Sequence, residues 1–79
     1  MFDLPKMDIK DKIGQRIKQL RKELGISQEA LANEAEVDRT YVTDVENGRR
    51  NVSVEILERL IKALQVSIAD FFYSNEFKK

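Results

Sequence analysis

The 79-residue chain contains no cysteine, no histidine and no tryptophan, and only one proline and three glycines. Without cysteine there is no disulfide framework, no thiolate metal site and no thiol nucleophile. Without histidine the commonest general base and the commonest metal ligand are missing. No apolar run approaches the roughly 20 residues needed to cross a bilayer. The opening MFDLPKMDIKDK mixes charges and lacks the apolar core of a secretory leader. The expectation is a cytoplasmic domain without a membrane partner. Asp and Glu are plentiful, but they fall on amphipathic surface faces, with no glycine-rich phosphate loop and no metal-ligand spacing. An enzyme is therefore the least expected class, and no cofactor, metal or small-molecule substrate is expected.

What is present is charge, balanced in total and uneven along the chain. Fourteen Lys/Arg oppose fourteen Asp/Glu. Residues 1–25 carry a balance of +3 (seven against four), residues 26–48 one of −5 (one against six), and residues 49–62 one of +2 (four against two). A net charge of zero predicts weak sequence-independent affinity for nucleic acid, because that affinity is mostly phosphate neutralisation and counterion release. Any phosphate contacts must come from segments flanking the acidic stretch. Arg49 and Arg50 are the first candidates, with Arg16 and Lys62 behind them.

The length suits one small domain with one core. Residues 1–7, with the only proline, read as a flexible N-terminal arm, and residues 8–79 as a single domain. Ile9, Ile13, Ile17, Leu20 and Leu24 recur at spacings of three and four, which predicts a helix from Ile9 to Leu24 capped by Asp8 and closed by Gly25. Lys10, Lys18, Arg21 and Lys22 fall off the stripe and read as solubilising. Gly14 interrupts the pattern at a cost of about 1 kcal/mol relative to alanine.

The stretch from Gln28 to Glu46 organises the rest. Ser27 caps a short helix with Leu31, Ala32 and Ala35 on one face. Asp38 caps a second helix that carries Val42 and Val45 and stops at Asn47-Gly48. The small Ala32 lets the second helix cross closely over the first. That pattern is a helix-turn-helix, whose second helix can enter the major groove of DNA. The corner Ala35-Glu36-Val37 has no glycine, so a left-handed Glu36 costs roughly 1–2 kcal/mol. Arg39, Thr40 and Thr43 are exposed side chains of types that reach base edges, and Arg39 can pair bidentately with guanine. Gln28, in the first turn of its helix, is placed to donate to a phosphate. Tyr41 packs against the preceding helix or stacks at a sugar edge. The loop Gly48-Arg49-Arg50-Asn51-Val52 supplies the cations that the acidic unit lacks.

Ser53 caps a further helix to about Leu64, and Ser67 with Asp70 caps a fifth that holds Ile68, Phe71, Phe72 and Tyr73, with Phe77 near its end. The apolar content of residues 54–77 exceeds the needs of one small core. Leu57, Ile61, Leu64, Val66, Ile68, Phe71 and Phe72 are read as a dimer surface. The expected fold is an all-α, compact five-helix bundle built around the helix-turn-helix.

Gln28, Leu31, Ala32, Ala35, Val37, Val42, Val45, Glu46 and Gly48, followed by a further helix, resemble the Xre/Cro/C1-type helix-turn-helix domain, the lambda-repressor-like DNA-binding fold, over roughly residues 10–72. More narrowly, DRTYVTDVENGRRNVS (Asp38–Ser53) is similar to the controller proteins of restriction–modification systems. The resemblance implies a small all-helical homodimer that binds paired two-fold operator sites in double-stranded DNA and controls its own transcription and that of the endonuclease. It matches Arg39 and Thr40 to base-reading positions, and Arg50 to a loop arginine that reads or positions at the groove. Gln28, Tyr41, Thr43, Asn51 and Ser53 match positions near the backbone. Glu36 stands where the family has a turn glycine, and Asn47 where an arginine is frequent.

The leading expectation is therefore a sequence-specific DNA-binding regulator. A phage-type or antitoxin-like repressor, or an interaction module of the same fold that does not read DNA, are the alternatives. Activation requires contact with RNA polymerase. Glu29, Glu34 and Glu36 lie where such a patch could be, but a solvated face is the better reading of them.

Overall fold

The computed structural model describes residues 8–78, so the N-terminal arm read at residues 1–7 lies outside the described residues. Five α-helices follow one another: α1 (Ile9–Leu24), α2 (Gln28–Ala35), α3 (Arg39–Glu46), α4 (Val54–Ala63) and α5 (Ile68–Phe72). A single 3-10 turn, Asn75–Phe77, follows them. No strand occurs among the described residues.

The helix starts follow local chemistry. The side chains of Asp8, Ser27, Ser53 and Ser67 each accept the backbone N–H three residues on, at 3.0–3.1 Å. Each satisfies one of the unpaired donors of a helix N-terminus. Asp38 has the extended cap backbone but accepts no such bond, so α3 starts without side-chain help. Gly25 closes α1 in the left-handed region, its N–H shared between the carbonyls of Arg21 and Lys22.

The core runs through all five helices. Ile17, Leu31, Val42, Leu60 and Phe71 are fully buried, with Ile13, Leu20, Ala32, Ala35, Val45, Ile61, Ala63 and Leu64 around them. The stripe of α1 buries only its middle, since Ile9 and Leu24 at its ends remain exposed. Gly14 has a packing reason. A methyl group there would meet the Val45 carbonyl oxygen well inside contact distance and the Glu46 carbonyl oxygen at 2.9 Å. The bare glycine lets the backbone of α3 lie directly on α1.

Two expectations for the C-terminal half change. Ile61, Leu64 and Phe71, expected on a dimer surface, are only 2%, 3% and 0% exposed in the single chain, so the domain's own core already occupies them. Leu57 is half-buried beside Ile9, Ile13 and Val54, between the starts of α1 and α4. Of the seven residues, Ile68 and Phe72 are exposed and Val66, like Leu57, is half-buried against the core, with Tyr73 next in the chain at 75% exposure. In addition, α5 stops at Phe72 rather than running on to Phe77. The chain breaks at Ser74, and Phe77 returns from the 3-10 turn to meet Phe72 edge-on at 4.9 Å between ring centres. That edge-to-face geometry suits the ring quadrupoles.

Arg16 is also reassigned. Its side chain is buried at 9% exposure and donates to the carbonyls of Phe71 and Asp70, both at 2.7 Å, and to Gln19. It is a clamp between α1 and the end of α5, held by three hydrogen bonds and buried away from the surface where a phosphate would lie.

Candidate nucleic-acid interface

The geometry of α3 is set from below and from both ends. Val42 and Val45 are buried against α1 and α2. Glu46, four residues after Val42 and one after Val45, is also buried, and its side chain is only 2% exposed. A carboxylate there needs a cation, and Arg21 of α1 supplies it: Nε donates to Oε2 at 2.6 Å and Nη2 to Oε1 at 3.1 Å. This is the two-pronged geometry in which guanidinium and carboxylate bind most strongly. Arg21 also donates to the Ile26 carbonyl, and the Glu46 carboxylate pushes its pKa further up. Arg21 is therefore structural, not solubilising. The signal in the sequence was Glu46 itself, an acid on the apolar stripe of α3.

Gln28 joins the same cluster. Its Nε2 donates to Glu46 Oε1 at 3.0 Å, and its Oε1 accepts from the Thr43 hydroxyl at 2.9 Å. One amide hydrogen of Gln28, in the first turn of α2, is left uncommitted by these bonds. Thr43 is half-buried, and its single hydroxyl hydrogen is shared between Gln28 and the Arg39 carbonyl at 3.2 Å. The structure thus places Thr43 inside a network that ties α2 to α3, where its hydroxyl hydrogen is already committed and only its oxygen is left to accept.

The corner between α2 and α3 takes the left-handed conformation at Glu36, with φ 61° and ψ 45°. Arg59 of α4 reaches across to it. Its Nε donates to the Ala35 carbonyl at 3.1 Å and its Nη2 to the Glu36 carbonyl at 2.6 Å. Sequence reasoning missed Arg59, because its partners lie 23 and 24 residues away on backbone atoms. Lys62 lies one turn along α4, beside Arg59, Glu34 and Glu36. It is on the corner side of the domain and not with the loop arginines.

Arg39 and Thr40 are exposed on the first turn of α3. Arg50 projects from the following loop over the ring of Tyr41, with its guanidinium carbon 4.4 Å from the ring centre, and Nη2 lies 3.3 Å from Asp44 Oδ2. Tyr41 is half-buried against the core and serves as a platform for Arg50. The loop is fixed at its root by the Arg49 N–H, which donates to the Asp44 carbonyl at 2.9 Å, and by Gly48 at φ 73°. A side chain at position 48 would collide with the Asp11 carboxylate. Arg49, Asn51 and Ser53 are exposed. The Ser53 hydroxyl accepts the Ile56 N–H, which leaves its own hydrogen free to be donated at the positive end of α4. No group of three or more acids among the described residues could hold a metal, and no helix among them is long and apolar enough to cross a membrane.

Comparison with known proteins agrees with this geometry. A helix-turn-helix family model matches residues 17–71. The control protein C.MunI of Mycoplasma sp is 42% identical over 66 residues, covering 82% of this chain and 89% of the relative. The crystal structure of the restriction–modification controller protein C.AhdI from Aeromonas hydrophila superposes with a TM-score of 0.76 at 43% identity, over 80% of this chain and 96% of the other. The controller protein C.Esp1396I, as a tetramer on its natural 35 base-pair operator, superposes with a TM-score of 0.79 at 38% identity, over 84% and 87%.

Proposed function

This chain belongs to the helix-turn-helix family, and we propose that it is a DNA-binding transcriptional regulator of the restriction–modification controller kind, working as a homodimer on pseudo-palindromic operators. The observation that carries the proposal is the presentation of Arg39 and Thr40 on a helix locked to its base by Gly14, the Arg21–Glu46 pair and the Gln28–Thr43 bridge. A rigid helix with an exposed arginine in its first turn can deliver a guanidinium to a guanine edge at low cost in ordering. The C.MunI and C.AhdI resemblances, and the operator complex of C.Esp1396I, support the same reading.

In this reading α3 lies in the major groove. Arg39 pairs with guanine, Thr40 touches a thymine methyl or a neighbouring phosphate, and Arg50 approaches the groove edge from its platform on Tyr41. Arg49, Asn51, Ser53 and the uncommitted amide hydrogen of Gln28 hold the backbone, where contacts fix register without reading sequence. Thr43 serves by orienting Gln28. Val66, Ile68, Phe72 and Tyr73 form the apolar patch that a second copy covers. A two-fold dimer puts the two copies of α3 about one DNA turn apart, roughly 34 Å. Activation also needs a contact with RNA polymerase, for which Glu29, Glu34 and Glu36 are exposed acids but read better as a solvated face; a place in the cytoplasm belongs to the same proposal.

Selection of sites from random duplex DNA, at one near-physiological salt concentration, tests it. The expected result is enrichment of a two-fold symmetric motif. No enrichment by a protein shown to be folded and helical would remove DNA reading and direct the search to protein partners of the Val66–Tyr73 patch.

A further inference from the structure

Arg50 is one of the two loop cations that offset residues 26–48, which carry a balance of −5. It is also held by an acid. Asp44 lies on α3 one turn beyond Thr40, so the two share a face of the helix. Its carboxylate is 28% exposed and meets Arg50 Nη2 at 3.3 Å while the guanidinium rests on Tyr41 at 4.4 Å. The Asp44 carbonyl accepts the Arg49 N–H, so the same residue fixes both the root of the loop and the tip of its arginine.

A carboxylate on the face that meets DNA is unfavourable for affinity, because it opposes the phosphates and competes with them for Arg50. It is favourable for selectivity. A phosphate offers Arg50 a partner everywhere along the duplex, whereas a guanine edge offers two aligned acceptors only at the right base pair. We propose that Asp44 is a specificity-determining residue, which retains Arg50 on Tyr41 against the uniform attraction of phosphates and releases it to a guanine edge present only at the right base pair. Selectivity here comes from a repulsive element set beside the attractive one. This inference rests on the DNA-reading function proposed above.

An exposed ion pair of this kind is worth about two- to five-fold in an equilibrium constant. Asp44→Asn keeps the shape and removes the charge. The experiment measures binding of wild-type and Asp44→Asn protein to a selected operator and to an unrelated duplex, across a salt series. Asp44→Asn is expected to tighten binding to the unrelated duplex by about two- to five-fold per protomer, to tighten operator binding less, and to steepen the salt dependence by about 0.9 for each phosphate newly met by Arg50. The same substitution in an Arg50→Ala background is expected to leave the ratio of operator to unrelated binding unchanged, because Asp44 acts through Arg50. An unchanged ratio in the single variant, or an equal shift with and without Arg50, would overturn the proposal. Circular dichroism melts of each variant show that the comparison is between folded proteins. A wild-type protein with no preference for any duplex would instead sink the parent reading.

Discussion

Gly14→Ala separates two opposing effects whose signs the sequence cannot decide. Alanine is the better helix former by about 1 kcal/mol, and it also restricts the unfolded chain, so a solvated helical site would gain roughly 0.4–1 kcal/mol. At position 14 the new methyl group meets the Val45 and Glu46 carbonyl oxygens, the second at 2.9 Å and the first closer still. Both are backbone atoms of the last turn of α3, which cannot rotate aside. The two helices must part by on the order of 1 Å, in an interior packed like a crystal. Overfilling such a site costs typically 1–3 kcal/mol, and the displaced turn also carries Glu46, whose two bonds to Arg21 are 2.6 and 3.1 Å long. Net destabilisation of about 2 kcal/mol is expected, which lowers the Tm of a domain this size by roughly 8–16 °C. Urea unfolding gives the same quantity from the midpoint at constant slope. A variant that melts at or above the wild-type temperature would refute the account of Gly14 as a contact between α1 and α3.

Other expectations follow from the same contacts. Glu46→Ala strips the partner from a largely buried Arg21 and the anchor from Gln28, and should cost about 3–5 kcal/mol in urea unfolding, whereas a loss under 1 kcal/mol would show that the pair is dispensable. Arg59→Ala leaves two corner carbonyls without their donor and should cost about 1–3 kcal/mol, while Glu36→Gly relieves the left-handed residue and should raise the melting temperature of either background. A corner that Glu36→Gly destabilises would contradict its geometry. Asp8 is held below the usual carboxylate range chiefly by the Asp11 N–H, and Glu76 chiefly by the Ser74 hydroxyl. Both then bind fewer protons folded than unfolded. Their contribution is complete above about pH 5 and is lost as pH falls through their lowered folded values. Denaturation midpoints between pH 6 and pH 3 should show a shallower acid loss in the Asp8→Asn, Glu76→Gln double variant. An unchanged slope would remove these two groups from the acid response.

The elements were legible wherever their chemistry is local. Asp8, Ser27, Ser53 and Ser67 cap through atoms three residues away, and the helices begin where those residues predict. Arg39 and Thr40 were legible as exposed because α3 has a clear inner stripe. What escaped is non-local. Arg16 and Arg21 look alike in sequence, each a cation on an amphipathic helix. Both are structural because carbonyls 54 and 55 residues away, and a carboxylate 25 away, come to meet them. The surplus apolar content of residues 54–77 read as an interface, yet Ile61, Leu64 and Phe71 are core. The expected cost of Glu36 was visible, but the compensating Arg59 was not. The absent turn glycine is answered by a side chain from α4 and not by a different corner.

In the proposed function α3 reads base edges through Arg39. The direct test is to repeat the selection from random duplex DNA with Arg39→Ala and to compare preferences position by position with the wild type. The account predicts a loss of about 1–3 kcal/mol in affinity for the selected operator and a relaxed preference at one position in each half-site, with the other positions retained. An unchanged preference at every position would take Arg39 out of the reading role and contradict the account.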